Sequence, residues 1–206
     1  MTLQARTEVH VRRPIMSSRL PASGNTALAA SALIQAALGL EFAFAGLDKL
    51  ADADFTAHFE AFVRVMPGTN RGILAPFIQL LVLPNVAIAA AALEFIELGL
   101  GLVLLIGAAE IARRRFSGRL GAERGYEAPV ALVAALAGFA AAGVALSIFL
   151  LEGGGLPTIT PGRAFTTAIP VELLIVPFGI AVGWIELGRC LVLRQRPKIQ
   201  PADPRA

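Results

Sequence analysis

The sequence predicts an all-α fold, a four-helix transmembrane bundle with an amphipathic surface helix between the first and second spans. Three observations carry this expectation. The 206 residues are 56% hydrophobic and 16% charged, with a mean hydropathy of +0.69, far outside the range of a soluble domain. Four apolar runs each reach the ~20 residues that a helix needs to cross a bilayer core. Basic residues gather at the ends of these runs, where topology-determining charge belongs.

The chain divides into a basic tail over residues 1–26, a membrane domain over 27–193 and a second basic tail over 194–206. Arg6, Arg12, Arg13 and Arg19 populate the first tail, which shows no sustained period. The first span covers residues 27–47 and ends in Asp48, Lys49 and Leu50. Asp48 and Lys49 suit an interfacial anchor. Glu41 lies seven residues deeper, on the same face as Asp48 and about 10 Å below it.

An interfacial segment over 51–85 follows, in two parts. In the first, Phe55, Phe59, Phe62, Val63 and Met66 form one apolar stripe that stops before Pro67 and Gly68, a helix for the membrane surface. His58 falls on its polar side as a solvated residue. No metal site is expected of it, because the other histidine is His10 in the tail. The second part, from Gly72 to Leu83, is apolar but too short to span and is bounded by Pro76 and Pro84, which reads as an interfacial or re-entrant segment.

The second span covers 86–109 and stops at Arg113, Arg114 and Arg115. Glu94 and Glu97 are three residues apart inside it, so both carboxyls lie on one helical face, which Gly101 and Ala108 continue. The third span covers 128–151, with Gly138, Ala142 and Gly143 available for close packing. Gly153, Gly154 and Gly155 then form a turn and not a phosphate loop, since no GK[ST] follows. The fourth span covers 168–193, with Glu172 near one end and Glu186 towards the other, before Arg189, Arg194, Arg196 and Lys198.

Counting basic residues at the short loops orients the chain. Both tails and the loop with Arg119 and Arg124 are arginine-rich, whereas the other two loops offer only Lys49, Arg64, Arg71 and Arg163. A multi-pass protein of the cell's inner (plasma) membrane with both termini cytoplasmic is expected. A pI near 9.7 is of the kind nucleic-acid binders show, but the arginines have no interleaved aromatics or binding motif, and no nucleic-acid partner is expected. The lone Cys190 excludes an intrachain disulfide, CxxC chemistry and a cysteine metal cluster.

A charged side chain at the bilayer centre costs at least ~2.5 kcal/mol on insertion scales, so Glu41, Glu94 and Glu97 need protonation, a basic partner or a wet cavity. On this orientation Glu41 and Glu94 both sit about 10 to 12 Å below the outer surface. Carboxyls held near neutrality can pass protons, and quinone reduction needs proton-delivering groups beside an apolar cleft. The alternative is that these glutamates hydrogen-bond between helices and fix the register of the bundle.

The run GLEFAFAGLDKL, a Phe-rich amphipathic segment, a proline and then ALEFIELGLGLVLLIG before a basic turn together resemble the DoxX/DoxD membrane proteins. The likeness covers roughly Ala37 to Arg115. It places Gly46, Leu47, Lys49 and Leu50 on a GLxKL pattern and Glu97, Gly99 and Gly101 on a glutamate-glycine pattern. The long connection before the second span and the extended tails depart from that family.

The resemblance implies a redox setting, since the family includes the DoxD subunit of thiosulfate:quinone oxidoreductase. It implies a quinone as the cofactor bound, with Glu41, Glu94 and Glu97 on the proton route and Asp48 and Lys49, with Glu41 and Glu94, at the binding site. The chain shows no CxxCH for covalent haem, no cysteine set for an iron-sulfur cluster and no Gly-rich nucleotide loop, so electrons are expected from other subunits. The alternative function is a non-catalytic accessory or anchoring subunit of a larger membrane redox complex.

Overall fold

The computed structural model describes residues 22–117, 126–155 and 169–195. Most of the two tails, Arg119 and Arg124 in the second-to-third loop, and the start of the fourth span at residue 168 lie outside the described residues. The elements run in order as α1 (Ala22–Ala51), α2 (Phe55–Val65), α3 (Pro67–Asn70), α4 (Ala75–Phe77), α5 (Val86–Ser117), α6 (Glu127–Leu151) and α7 (Val171–Gln195). Among the described residues four helices are long and apolar enough to cross a membrane: Thr26–Ala51, Ala75–Arg113, Glu127–Leu151 and Val171–Arg194. The chain is a multi-pass membrane protein with an all-α bundle.

Two antiparallel pairs make the bundle. α1 packs along α5 and α6 along α7, while α5 against α6 and α1 against α7 join the pairs less extensively. Glycines set the close approach within each pair. A Cβ at Gly46 would lie 2.6 Å from the backbone nitrogen of Leu98, and one at Gly101 would strike the backbone of Ala43. In the other pair a Cβ at Gly138 would lie 2.7 Å from the Gly183 nitrogen, and one at Gly179 2.6 Å from the Gly138 oxygen. Without a hydrophobic driving force inside lipid, this backbone proximity is what gives the pairs their dispersion contact. Leu38, Phe42, Leu104, Ala137, Ala141 and Val182 close the core where the pairs meet. Outward, Leu33, Ile106, Leu136 and Trp184 are exposed, as lipid-facing residues should be.

The structure corrects several sequence boundaries. The segment from Gly72 to Leu83 is not set off from the second span by its prolines. After α4 it continues through a π-helical turn, Ile78–Val82, and a 3-10 turn, Leu83–Asn85, directly into α5. Pro76 sits in the first turn of α4, where the missing N–H had no helical partner to lose, and Pro84 falls in the 3-10 turn that follows the π-helical one. The resulting run, Ala75–Arg113, has 39 residues, about 57 Å at 1.5 Å each against a hydrocarbon core of about 30 Å.

α5 also runs through the arginine cluster to Ser117 instead of stopping at Arg113. Arg113 donates to Glu110 one turn back at 2.9 Å, so the cation caps the helix end without ending it. Gly143 is exposed with nothing near its Cβ position, so Gly138 and Ala142 do the packing without it. α6 begins at Glu127, which is buried, one residue before the expected span. It ends at Gly153 and Gly154, whose φ of 114° and 61° suit glycine and let their N–H groups reach back to Leu150 and Phe149.

Candidate functional site

The seam between α1 and α5 carries an ion pair at the bundle end nearest α2. Gly46 and Gly101 bring the helices together, and one turn away on the same faces stand Lys49 and Glu97. Lys49 Nζ lies 2.6 Å from Glu97 Oε2 and donates to the Ala45 carbonyl at 3.3 Å. The Glu97 side chain is 4% exposed and that of Lys49 23%. The contact is a charge pair without hydrogen-bond alignment, since Glu97 Oε2 has no hydrogen-bond partner. The two motifs read separately in the sequence, GLDKL and ELGLG, are therefore the two sides of one seam.

α2 lies over this pair. Its sequence alternates an apolar stripe with charge, and the stripe turns inward: Val63 is 1% exposed, and Phe55 and Phe59 stack obliquely with ring centroids 5.9 Å apart. Lys49 Nζ sits 6.0 Å from the Phe55 ring centre, in cation-π range. Arg64 pairs with Glu60 on the solvent side. The Thr69 hydroxyl donates to the Val63 carbonyl, and Gln79 Nε2 donates to the Thr69 carbonyl at 2.8 Å, which ties the end of α2 to the extension of α5.

Between α2 and the bundle lies a cavity of about 430 Å³, within the range of small-molecule sites. Phe55, Phe59, Phe62, Leu93, Ile148 and Leu151 give it apolar walls from three elements, α2, α5 and α6. Its polar lining is Asp48, Lys49, Asp52, His58 and Glu97. His58 Nδ1 meets Asp52 Oδ2 at 2.7 Å, and Asp52 Oδ1 accepts from the Asp54 backbone N–H at 3.0 Å, which holds the turn before α2. The hydrogen bond to Asp52 raises the His58 pKa above the ordinary imidazole value, and the same bond lowers that of Asp52. The pair's contribution is therefore complete below the ordinary imidazole value and lost as pH rises through the raised one. At the acid end it is lost as pH falls through the depressed Asp52 value.

Of the residues singled out in the sequence, the structure brings Asp48, Lys49 and Glu97 to one cavity. Glu41 and Glu94 do not line it. Glu41 is exposed on the α1 surface, and Glu94 is half-buried, displaced around the helix from Glu97. The i, i+3 spacing put Glu94 and Glu97 on a common side of α5, but the side is wide and only Glu97 falls under α2. In line with the shared-face reading, Gly101 and Ala108 are buried along with Glu97.

Two features were not legible in the sequence reading. One is His58, expected to be merely solvated, whose side chain is 68% exposed yet bonded to Asp52 and part of the cavity wall. The other is a buried polar cluster at the opposite, arginine-rich end. Gln35 Nε2 donates to Ser31 Oγ and to Glu186 Oε1, both at 3.0 Å, and Arg189 donates to Glu186 Oε2 at 2.9 Å. Ser31, Gln35 and Glu186 are each 0% exposed. This cluster clasps α1 to α7. Its signal was present, as two polar residues four apart in an otherwise apolar span.

No family model, curated protein or solved structure matches the chain. The likeness to the DoxX/DoxD proteins thus stands on its quoted residues alone.

Proposed function

We propose that the chain is an integral membrane subunit of a quinone-linked oxidoreductase, resembling the DoxX/DoxD proteins, which holds a quinone at the α2 end of its bundle. The cavity is the observation that carries the reading. Its aromatic and aliphatic walls suit a flat lipophilic ring, and its lining offers two hydrogen-bond donors, Lys49 and His58, for a ligand with two carbonyl acceptors. Glu97 supports the fit, being a buried carboxylate 2.6 Å from one of those donors.

Within the site, Lys49 orients a carbonyl while remaining the counter-ion of Glu97. Glu97 is positioned to hold a proton near the ring, and Phe55, Phe59 and Phe62 exclude water above it. A bound quinone would supply two-electron, two-proton carrier chemistry. Electrons come from another subunit. The test is whether a photoreactive quinone marks this cavity.

A second reading is favoured by a specific observation. The Lys49–Glu97 pair is complete within the chain and lies on the α1–α5 seam, so it also serves a non-catalytic anchoring subunit in which the carboxylate only fixes helix register. That reading predicts no saturable quinone labelling.

The arginine asymmetry supports an orientation with both termini on the cytoplasmic side of the inner membrane. Asn70 is exposed beyond α2 and Arg194 at the far end of α7. In a Cys190→Ser background, Asn70→Cys should react with an impermeant maleimide on intact cells, and Arg194→Cys only after permeabilisation. The reverse pattern contradicts the orientation.

A further inference from the structure

The structure assigns His58, oriented by Asp52, as a ligand-binding donor of the cavity: its Nε2–H donates to a carbonyl oxygen of the bound molecule. The assignment rests on the quinone reading of this cavity. It starts from the donors available. Of the polar lining residues Asp48, Asp52 and Glu97 offer acceptors when ionised, so a carbonyl ligand finds donors only at Lys49 and His58. Lys49 is already engaged by Glu97 at 2.6 Å and by the Ala45 carbonyl. His58 spends only Nδ1, on Asp52 at 2.7 Å, and Nε2 is the ring's other hydrogen-bonding atom.

The aspartate also fixes what Nε2 can do. A carboxylate partner keeps the proton on Nδ1, so Nε2 carries a proton only when the imidazole is charged. Donation to the ligand is therefore coupled to protonation of His58, and Asp52 raises the pH at which that proton leaves. Asp52 and Asp54 are the charged groups that act on the ring, Asp48 and the Lys49–Glu97 pair share the cavity lining, and α6 contributes only Ile148 and Leu151.

His58 is open to water at the α2 end, its side chain being 68% exposed. On α1, Leu38 and Phe42 separate Lys49 from Gln35, and on α5 Leu104 separates Glu97 from the arginine-rich end, with Val182 closing the same layer. The clasp of Gln35 and Glu186 is thus cut off from the cavity by an apolar plug.

The experiment is calorimetric titration of the full chain in lipid nanodiscs with a short-tailed ubiquinone analogue, from about pH 6 to about pH 9. Affinity of the wild type should fall roughly tenfold as His58 loses its proton, the size of one charge-assisted hydrogen bond. His58→Gln carries an amide donor at every pH, so it should bind with no such fall. Asp52→Asn no longer pins the proton to Nδ1, so the neutral ring can donate from Nε2 and the fall should shrink. Saturable wild-type binding that does not vary with pH, or an unchanged pH dependence in His58→Gln, overturns the assignment and leaves the quinone reading standing. No saturable binding by the wild type overturns both. His58 is largely exposed, and helical content and thermal unfolding of each variant verify that the bundle is intact.

Discussion

Lys49→Met should destabilise the protein by about 3 kcal/mol, the cost of removing one member of a buried ion pair and leaving the other uncompensated. The burdened group is Glu97, whose side chain is 4% exposed and has no second cation beside it in the cavity lining. The converse change should cost less. After Glu97→Leu the Lys49 ammonium, already 23% exposed at the end of α1, can swing along its flexible stem towards water. The double variant should recover most of the Lys49→Met loss, because neither charge is then stranded. Thermal or denaturant unfolding in a fixed detergent or lipid gives all four corners of this cycle. Equal losses in the two single variants, with simple addition in the double, would mean that the charges do not act as a pair.

Gly101→Leu should have an effect as large, through a different cause. The new Cβ is aimed at the Ala43 backbone, which cannot rotate away as a side chain would. The helices must part, at about 1 to 3 kcal/mol for overpacking and more where backbone is the obstacle. Because Glu97 sits one turn from Gly101 on the same seam, the 2.6 Å contact with Lys49 should open at the same time. Gly99→Leu is the matched control: it lies two residues away with nothing within 4 Å of its Cβ position, and it should leave stability unchanged. If Gly99→Leu were the more damaging of the two, the seam would run along another face of α5.

These two predictions depend on features that were unequally visible in the sequence. The four spans followed from apolar length and terminal arginines, because bilayer thickness leaves a helix little choice. The α2 stripe was visible in the spacing of Phe55, Phe59, Phe62 and Val63. Glu97 stood out as a carboxylate inside an apolar run, and Lys49 as a cation at the end of one. Their pairing was not visible, since spacing within one helix says nothing about the rotation of another helix against it. For the same reason Glu41 and Glu94, as suspicious in sequence as Glu97, fall outside the cavity.

The helical continuity of Gly72 to Leu83 with α5 was not visible, because Pro76 and Pro84 read as boundaries. His58 was discounted because its neighbour Asp52 precedes the helix and reaches it through a turn, a relation that helical periodicity does not reveal. Ser31 and Gln35 share a face, but their common partner Glu186 lies some 150 residues away in sequence, where helical spacing gives no sign of it.

The central claim is that the space between α2 and the α1–α5 seam holds a quinone. Photolabelling answers it most directly: an azidoquinone is illuminated with the full chain in nanodiscs, and the modified peptides are mapped by mass spectrometry. The account predicts labels on the Phe55 to Phe62 stretch and around Leu93 to Glu97, suppressed by excess unlabelled quinone and weakened in Phe59→Asp, which breaks the apolar wall. Labels confined to lipid-facing positions such as Leu33 and Trp184, undiminished by competitor, would contradict it.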